Sequence, residues 1–313
     1  MLLVRWSIAL LLAAVPAYLV GHAPLPRRWR DAPAGAAIVR FRSNAVARVA
    51  LQLLILVVVV TVLASWLAPY DPAAQPDIVA LAGRPPSLAH PFGTDSYSRD
   101  LLSRCLYGAR VSLSVAALAT LLSVTVGTVY GAIAGFYGGR LDDAMMRGID
   151  VALSIPRILL LIAVVALWGQ IRLPFLIALI GFTGWFGTSR IVRAAVLALR
   201  ERELVTAARA LGASDRRILW RHVAPNVASP VIVSATLGLG SVIVLEAGLS
   251  YLGLGVPEPL ASWGSIIRDG RDQVASLWWI ALFPGLAIMV TVMAFNIVGD
   301  ALRDALDPEQ VLR

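Results

Sequence analysis

The sequence predicts an all-α fold: a polytopic bundle of transmembrane helices. Three observations lead there. Of 313 residues, 58% are hydrophobic and 15% are charged, where a soluble domain carries about 25% charge. Mean hydropathy is +0.78, more apolar side chain than soluble cores of this size use, so the surplus faces lipid. Apolar runs near the ~20 residues needed to cross a bilayer recur along the chain, and the alternation of a membrane β-barrel is absent.

Seven segments qualify or nearly do. The first, Trp6 to Val20, is short. The second runs from Val49 to Ala68, through Ile55-Leu56-Val57-Val58-Val59-Val60. The third, Val111 to Gly139, is uncharged and rich in small residues; Gly131, Gly135 and Gly139 have the small-xxx-small spacing of close helix packing. The fourth, Val151 to Gly169, carries Arg157 just after Pro156, expected to snorkel to the surface. The fifth is Leu173 to Ser189, the sixth Val227 to Gly255 with Glu246 inside it, and the seventh Leu277 to Val298. Trp278-Trp279 at its start reads as an interfacial aromatic belt.

All 27 basic residues are arginine. With no lysine, a P-loop and Schiff-base chemistry are excluded. A single cysteine, Cys105, excludes an internal disulfide. Arginine distribution sets the orientation. The segments 21–48, 140–150, 190–222 and the C-terminus hold 18 arginines; the connections on the other side hold seven. The richer side is therefore expected to be cytoplasmic, with the C-terminus on it. The net charge of +8 is an orientation signal, not a nucleic-acid footprint. Residues 1–45 read as an extra hydrophobic helix with an Arg-rich cytoplasmic segment, including Arg27, Arg28 and Arg30. The competing readings are a signal peptide cleaved after Ala23, against the positive-inside rule, and a start codon assigned too early. Residues 46–110 hold the first core span and an external loop, and 111–313 the remaining core, with a cytoplasmic loop at about 190–226.

That loop carries the strongest signal: ELVTAARALGASDRRILWRHVAPN, from Glu203 to Asn226. It reads as two short helices. Thr206, Ala207, Ala208 and Arg209 give the first a small-residue face that can lie close in a partner's groove. Gly212 ends it, because glycine takes positive φ without steric cost. Ser214 caps the next helix, with Asp215 in its first turn, and Pro225 is expected to stop that helix before the next span. This is the shape of a docking platform.

The same residues resemble the EAA loop of ABC importer permeases, whose first helix is the coupling helix that docks into the ATPase subunit. Thr206 stands where that pattern has Glu. Further blocks, from about Leu67 to Pro308, resemble the dipeptide/oligopeptide/nickel family. His90-Pro91-Phe92-Gly93-Thr94-Asp95, Arg99-Asp100 and Ser103-Arg104 follow its external signature, with Ser98 in place of Gly. Gly108-Ala109-Arg110, Gly135-Phe136-Tyr137-Gly138-Gly139, Leu249-Ser250-Tyr251-Leu252-Gly253-Leu254-Gly255, Trp263-Gly264 and Phe283-Pro284-Gly285 come in family order. The best match is the second, C-type permease subunit.

The resemblance implies a type I ABC importer permease (MetI-like) fold and a non-catalytic subunit. It also implies a homologous partner permease completing a heterodimeric path, two ATPase subunits that use ATP and Mg, and an extracytoplasmic solute-binding protein. The chain itself is expected to bind no cofactor, metal or nucleic acid, and to sit in a bacterial or archaeal inner membrane. Glu246 is a candidate for the translocation path or for gating, because an acid inside a span is a functional hypothesis by default. His90 and Asp95 read as loop packing rather than metal ligands. The alternatives are an ion-gradient-driven secondary transporter, and a permease of the same family for nickel or glutathione.

Overall fold

The computed structural model describes residues 2–22, 33–169 and 171–307. The cleavage point after Ala23, Arg27, Arg28, Arg30 and Pro308 lie outside the described residues. The fold is helical, with no strand among the described residues. Of the seven expected segments, five are helices long and apolar enough to cross a membrane, a sixth is a bent pair, and Val4–Tyr18 is a shorter apolar helix.

α1 (Leu2–His22) packs on α3 (Ala45–Val62), burying the small residues Ala9, Ala13 and Ala17. Arg5 donates Nη1 to Trp66 O at 3.0 Å, and its guanidinium lies 5.8 Å over the Trp66 ring. The start of α1 is thereby tied to the end of α3. α2 (Pro33–Ser43) lies at the other, arginine-rich end.

α4 (Leu101–Tyr137) is the long central helix, 37 residues, or about 55 Å at 1.5 Å per residue. It overreaches a hydrocarbon core of ~30 Å and projects into the opposite, loop end of the bundle. There Arg110 crosses to α3, donating Nε to Thr61 O (2.8 Å) and Nη2 to Val62 O (2.6 Å). It satisfies carbonyls that the end of α3 leaves open.

The expected loop at 140–150 is instead helix α5 (Gly139–Leu153). It is amphipathic and tied to α8 (Trp185–Arg200) by that helix's arginines: Arg193 grips Asp142 with two nitrogens, Nη2 at 2.6 Å, and Arg190 pairs with Asp150. The fourth segment does not start at Val151. The chain bends by 70° between α5 and α6 (Arg157–Trp168), because Pro156 drives Ile155 out of the helical region. At 12 residues, or about 18 Å, α6 is a half-span.

The fifth segment runs on past Ser189 as α7 (Leu173–Phe182) and α8, broken at Thr183-Gly184. α8 lies along α4 at glycine distance. A β-carbon at Gly127 would stand 2.7 Å from Trp185 O, one at Gly135 2.7 Å from Arg193 O, and one at Gly131 would overlap Ser189 O. Lipid tails are as apolar as leucine, so such backbone approach, not hydrophobicity, binds helices in a bilayer. The stripe is Gly127-Gly131-Gly135; Gly139, expected in it, opens α5 at φ +58° and meets nothing within 4 Å.

Pro225 does not stop a helix. α10 (Asp215–Ile218) passes through a π-turn, Leu219–Val223, directly into α11 (Ala224–Tyr251). The wider turn accommodates a proline that lacks N–H and would clash with an α-helical carbonyl. Asn226 Nδ2 donates to His222 O at 2.6 Å beside it. Short α12 (Trp263–Asp269) sits at the loop end, and α13 (Trp278–Leu306) returns to the arginine-rich end. α4, α6, α7, α11 and α12 share the largest apolar core, around Val115, Leu161, Leu176, Ile180, Ile243 and Trp263.

Candidate functional site

Three groups of predicted residues are brought into order. The first is the loop between α8 and α11. α9 (Glu203–Ala210) is fastened by its inner face: Val205 is buried in a cluster with Ile218 and Val223 of the following turns and with Phe136, Val192 and Val196. Its end is a complete Schellman motif: Ala213 N donates to Ala208 O and Gly212 N to Arg209 O, each at 3.0 Å, with Gly212 at φ +81°. Ser214 holds the N-cap position of α10, but its hydroxyl makes no capping bond.

The outer face is small and uncovered. Thr206, Ala207, Arg209 and Ala210 are exposed, and Ala208 is half-buried. Thr206 turns its hydroxyl back to Glu203 O at 3.0 Å, so the residue standing in place of Glu presents a methyl outward. Arg209 lies 5.8 Å over the Phe136 ring. Two large apolar residues missed in the sequence reading are exposed in the same loop: Leu211, directly after α9, at 88% and Trp220 at 73%.

The second group is the external signature. Gly93 takes φ +78°, and a β-carbon there would stand 2.7 Å from Arg84 O. Thr94 Oγ1 accepts Arg84 N at 2.9 Å. Asp95, 1% exposed, accepts the backbone of Tyr97 and Arg99 (both 2.9 Å) and the side chains of Arg99 (2.6 Å) and Arg104 (2.5 Å). Both arginines also reach Asp269 of α12, at 3.1 and 2.9 Å. Asp100 caps α4 at Ser103 N and meets His90 Nδ1 at 2.9 Å. Ser98 sits at φ +63°, the conformation for which a glycine is the unstrained choice. The group is a buried charge-balanced clamp joining the loop to α4 and α12. Trp279 belongs to it: it is 5% exposed and donates Nε1 to Thr94 O at 3.0 Å, leaving Trp278 alone at the surface.

The third is Glu246, fully buried on α11. Its carboxylate accepts Ser250 Oγ at 2.6 Å and Ser112 Oγ at 3.0 Å. Ser250 Oγ in turn accepts Val256 N (3.1 Å) and Ser262 Oγ (3.2 Å), and Ser112 Oγ accepts Trp263 N (3.2 Å). One carboxylate thus organises α4, α11 and the chain entering α12. Glu246 does not line the large cavity of the arginine-rich half, which is walled by α4, α8, α11 and the end of α13. Arg157 does line it. It does not snorkel: it donates Nη2 to Ile180 O (2.7 Å) and Nε to Thr183 Oγ1 (3.2 Å), bridging the break between α7 and α8.

Comparison with known proteins decides the family. The profile described as binding-protein-dependent transport system inner membrane component matches residues 127–311, which holds the α8–α11 loop. The chain belongs to that family. A second profile, the N-terminal TM domain of oligopeptide transport permease C, matches residues 29–86. The oligopeptide transport system permease protein OppC of Bacillus subtilis (strain 168) is 40% identical over 281 residues, 90% of each chain. A putative peptide transport system permease protein of Brucella suis biovar 1 (strain 1330) is 45% identical over 263 residues, 83% of this chain and 87% of that one. Among solved structures, the inward-facing MetNI methionine ABC transporter aligns with a TM-score of 0.52 and 20% identity, covering 66% of this chain and 96% of its own, a likeness of fold. The protein is a permease subunit of a binding-protein-dependent ABC importer, a membership that implies a second permease and ATPase subunits as partners.

Proposed function

We propose that this chain is one of two homologous permeases of an ATP-driven importer of peptides, with its arginine-rich end in the cytoplasm of a bacterial or archaeal cell. The observation that carries the reading is α9. It is a short helix anchored through Val205 and capped at Gly212. Its outward face of Thr206, Ala207, Arg209 and Ala210 is exposed beside Leu211. Such a face fits a groove on an ATPase subunit, and its anchors lie on α4, α8 and α11, so movement of α9 moves three spans. The lysine-free chain lacks the P-loop residue that holds nucleotide phosphates. ATP and Mg are therefore used by two partner ATPases, and the chain is not itself an enzyme. A solute-binding protein delivers cargo at the loop end, and the peptide relatives support the solute class.

The test is reconstitution in proteoliposomes with the partner permease, two ATPases and the binding protein. ATP-dependent peptide uptake that needs all components is expected. Gradient-driven uptake by this chain alone would overturn the reading in favour of a secondary transporter.

A further inference from the structure

The cavity of the arginine-rich half has a volume of about 670 Å³. Hydroxyl groups of Thr120, Ser123, Thr188, Ser229, Ser234 and Ser241 are among its lining residues. Ala116, Ala119 and Ile243, fully buried, do not line it. Arg303 and Asp307 stand among its lining residues at the end of α13. Deeper in, at the level of Ser123 and Gly184, the one charged lining group among the described residues is Arg157.

Arg157 is aimed, not loose. Ile180 O and Thr183 Oγ1 hold two of its nitrogens. Gly184 leaves room for it, since a β-carbon there would stand 3.0 Å from Nη2. Both partners are neutral, so neither cancels the guanidinium charge. A charge at membrane depth is costly and faces a water-filled cavity or a counter-ion. A planar guanidinium with an unused edge matches a carboxylate.

We infer that Arg157 is a carboxylate contact on the inner half of the translocation path, meeting the terminal or side-chain carboxylate of a passing solute. This rests on the importer reading above. It differs from the coupling role of α9 because it concerns what the path prefers, not what drives it.

The experiment places a thiol in the same cavity as the arginine. Gly187, one helical turn from Gly184 and also lining the cavity, has no atom within 4 Å of a built β-carbon, so Gly187→Cys is accommodated. Native Cys105 is buried, and the parent complex supplies the background. The nucleotide-free complex is treated with anionic sulfonatoethyl and cationic trimethylammonioethyl methanethiosulfonates. The anionic-to-cationic rate ratio is expected to fall about tenfold on adding Arg157→Gln, the effect of one nearby charge at intermediate dielectric, and to survive Arg157→Lys. Thermal melting checks that each variant is folded. An unchanged ratio, or a Gly187→Cys variant whose new thiol does not react, overturns the inference. So does a ratio effect that appears in phosphatidylcholine vesicles and vanishes with phosphatidylglycerol, because an anionic lipid headgroup is then the partner.

In the reconstituted importer, Arg157→Gln is expected to lower uptake of a free-acid peptide more than that of its C-terminal amide, each normalised to the parent. Equal losses contradict the inference. Absence of peptide uptake by the parent instead contradicts the importer reading, while the reagent ratio still reports the charge in the cavity.

Discussion

Glu246 shows how a single residue is read differently once its neighbours are known. As an acid in an apolar run it signals function; in the fold its oxygens are taken by Ser112 and Ser250, and it touches no part of the large cavity. Glu246→Gln keeps an acceptor for one hydroxyl and is expected to melt within a few degrees of the parent. Glu246→Ala strands two buried hydroxyls, at about 1–3 kcal/mol each, and is expected to lower the melting temperature in detergent sharply. Equal melting of the two variants contradicts the assigned tie. Ser98 offers the opposite sign. At φ +63°, with a buried hydroxyl that has no partner, it carries strain that Ser98→Gly relieves. A gain of about 1–2 kcal/mol, seen as a higher melting temperature, is expected. The acid, the arginine and the signature residues were all visible in the sequence. Their partners were not, because Ser112, Glu246, Ser250 and Trp263 meet only through the packing of α4 on α11 and α12. Arg157 and Trp279 were misjudged for the same reason: each side chain finds a carbonyl that chain position does not reveal.

At the scale of elements, the α4–α8 contact is set by Gly127, Gly131 and Gly135. Gly131→Ala places a methyl against Ser189 O and is expected to cost about 1–3 kcal/mol as overpacking, with loss of folded protein on size exclusion. Gly187→Ala, on the open side of α8, is expected to be neutral or to stabilise by up to ~1 kcal/mol through helix propensity. If both variants behave alike, the glycine stripe is not what seats α8. Helix existence was legible here because apolar length is a strong signal. Helix ends were not. α5 reads as a loop until Arg190 and Arg193 are seen to hold Asp150 and Asp142, and Pro225 reads as a stop until the π-turn beneath it is seen. Pro156, inside the expected fourth segment, reads as part of one span until the bend there is seen.

For the whole molecule, the bundle links two ends. At one, the Asp95–Arg99–Arg104–Asp269 clamp joins the loop before α4 to α4 and α12; at the other, α9 is seated on α4, α8 and α11. The helical membrane class was legible from composition, and the paired short helices of the 190–226 loop from its small residues and Gly212. The broken spans and the cavity they enclose were not, since both depend on which helix lies beside which. The central claim is that α9 carries the ATPase. It is tested most directly by Ala207→Glu, which puts a bulky charge on an exposed face without touching the buried anchors Val205, Ile218 and Val223. Insertion and melting temperature are expected to stay at parental values, while copurification of the ATPase subunits and ATP-driven uptake are lost. Uptake at the parental rate in that variant would contradict the account.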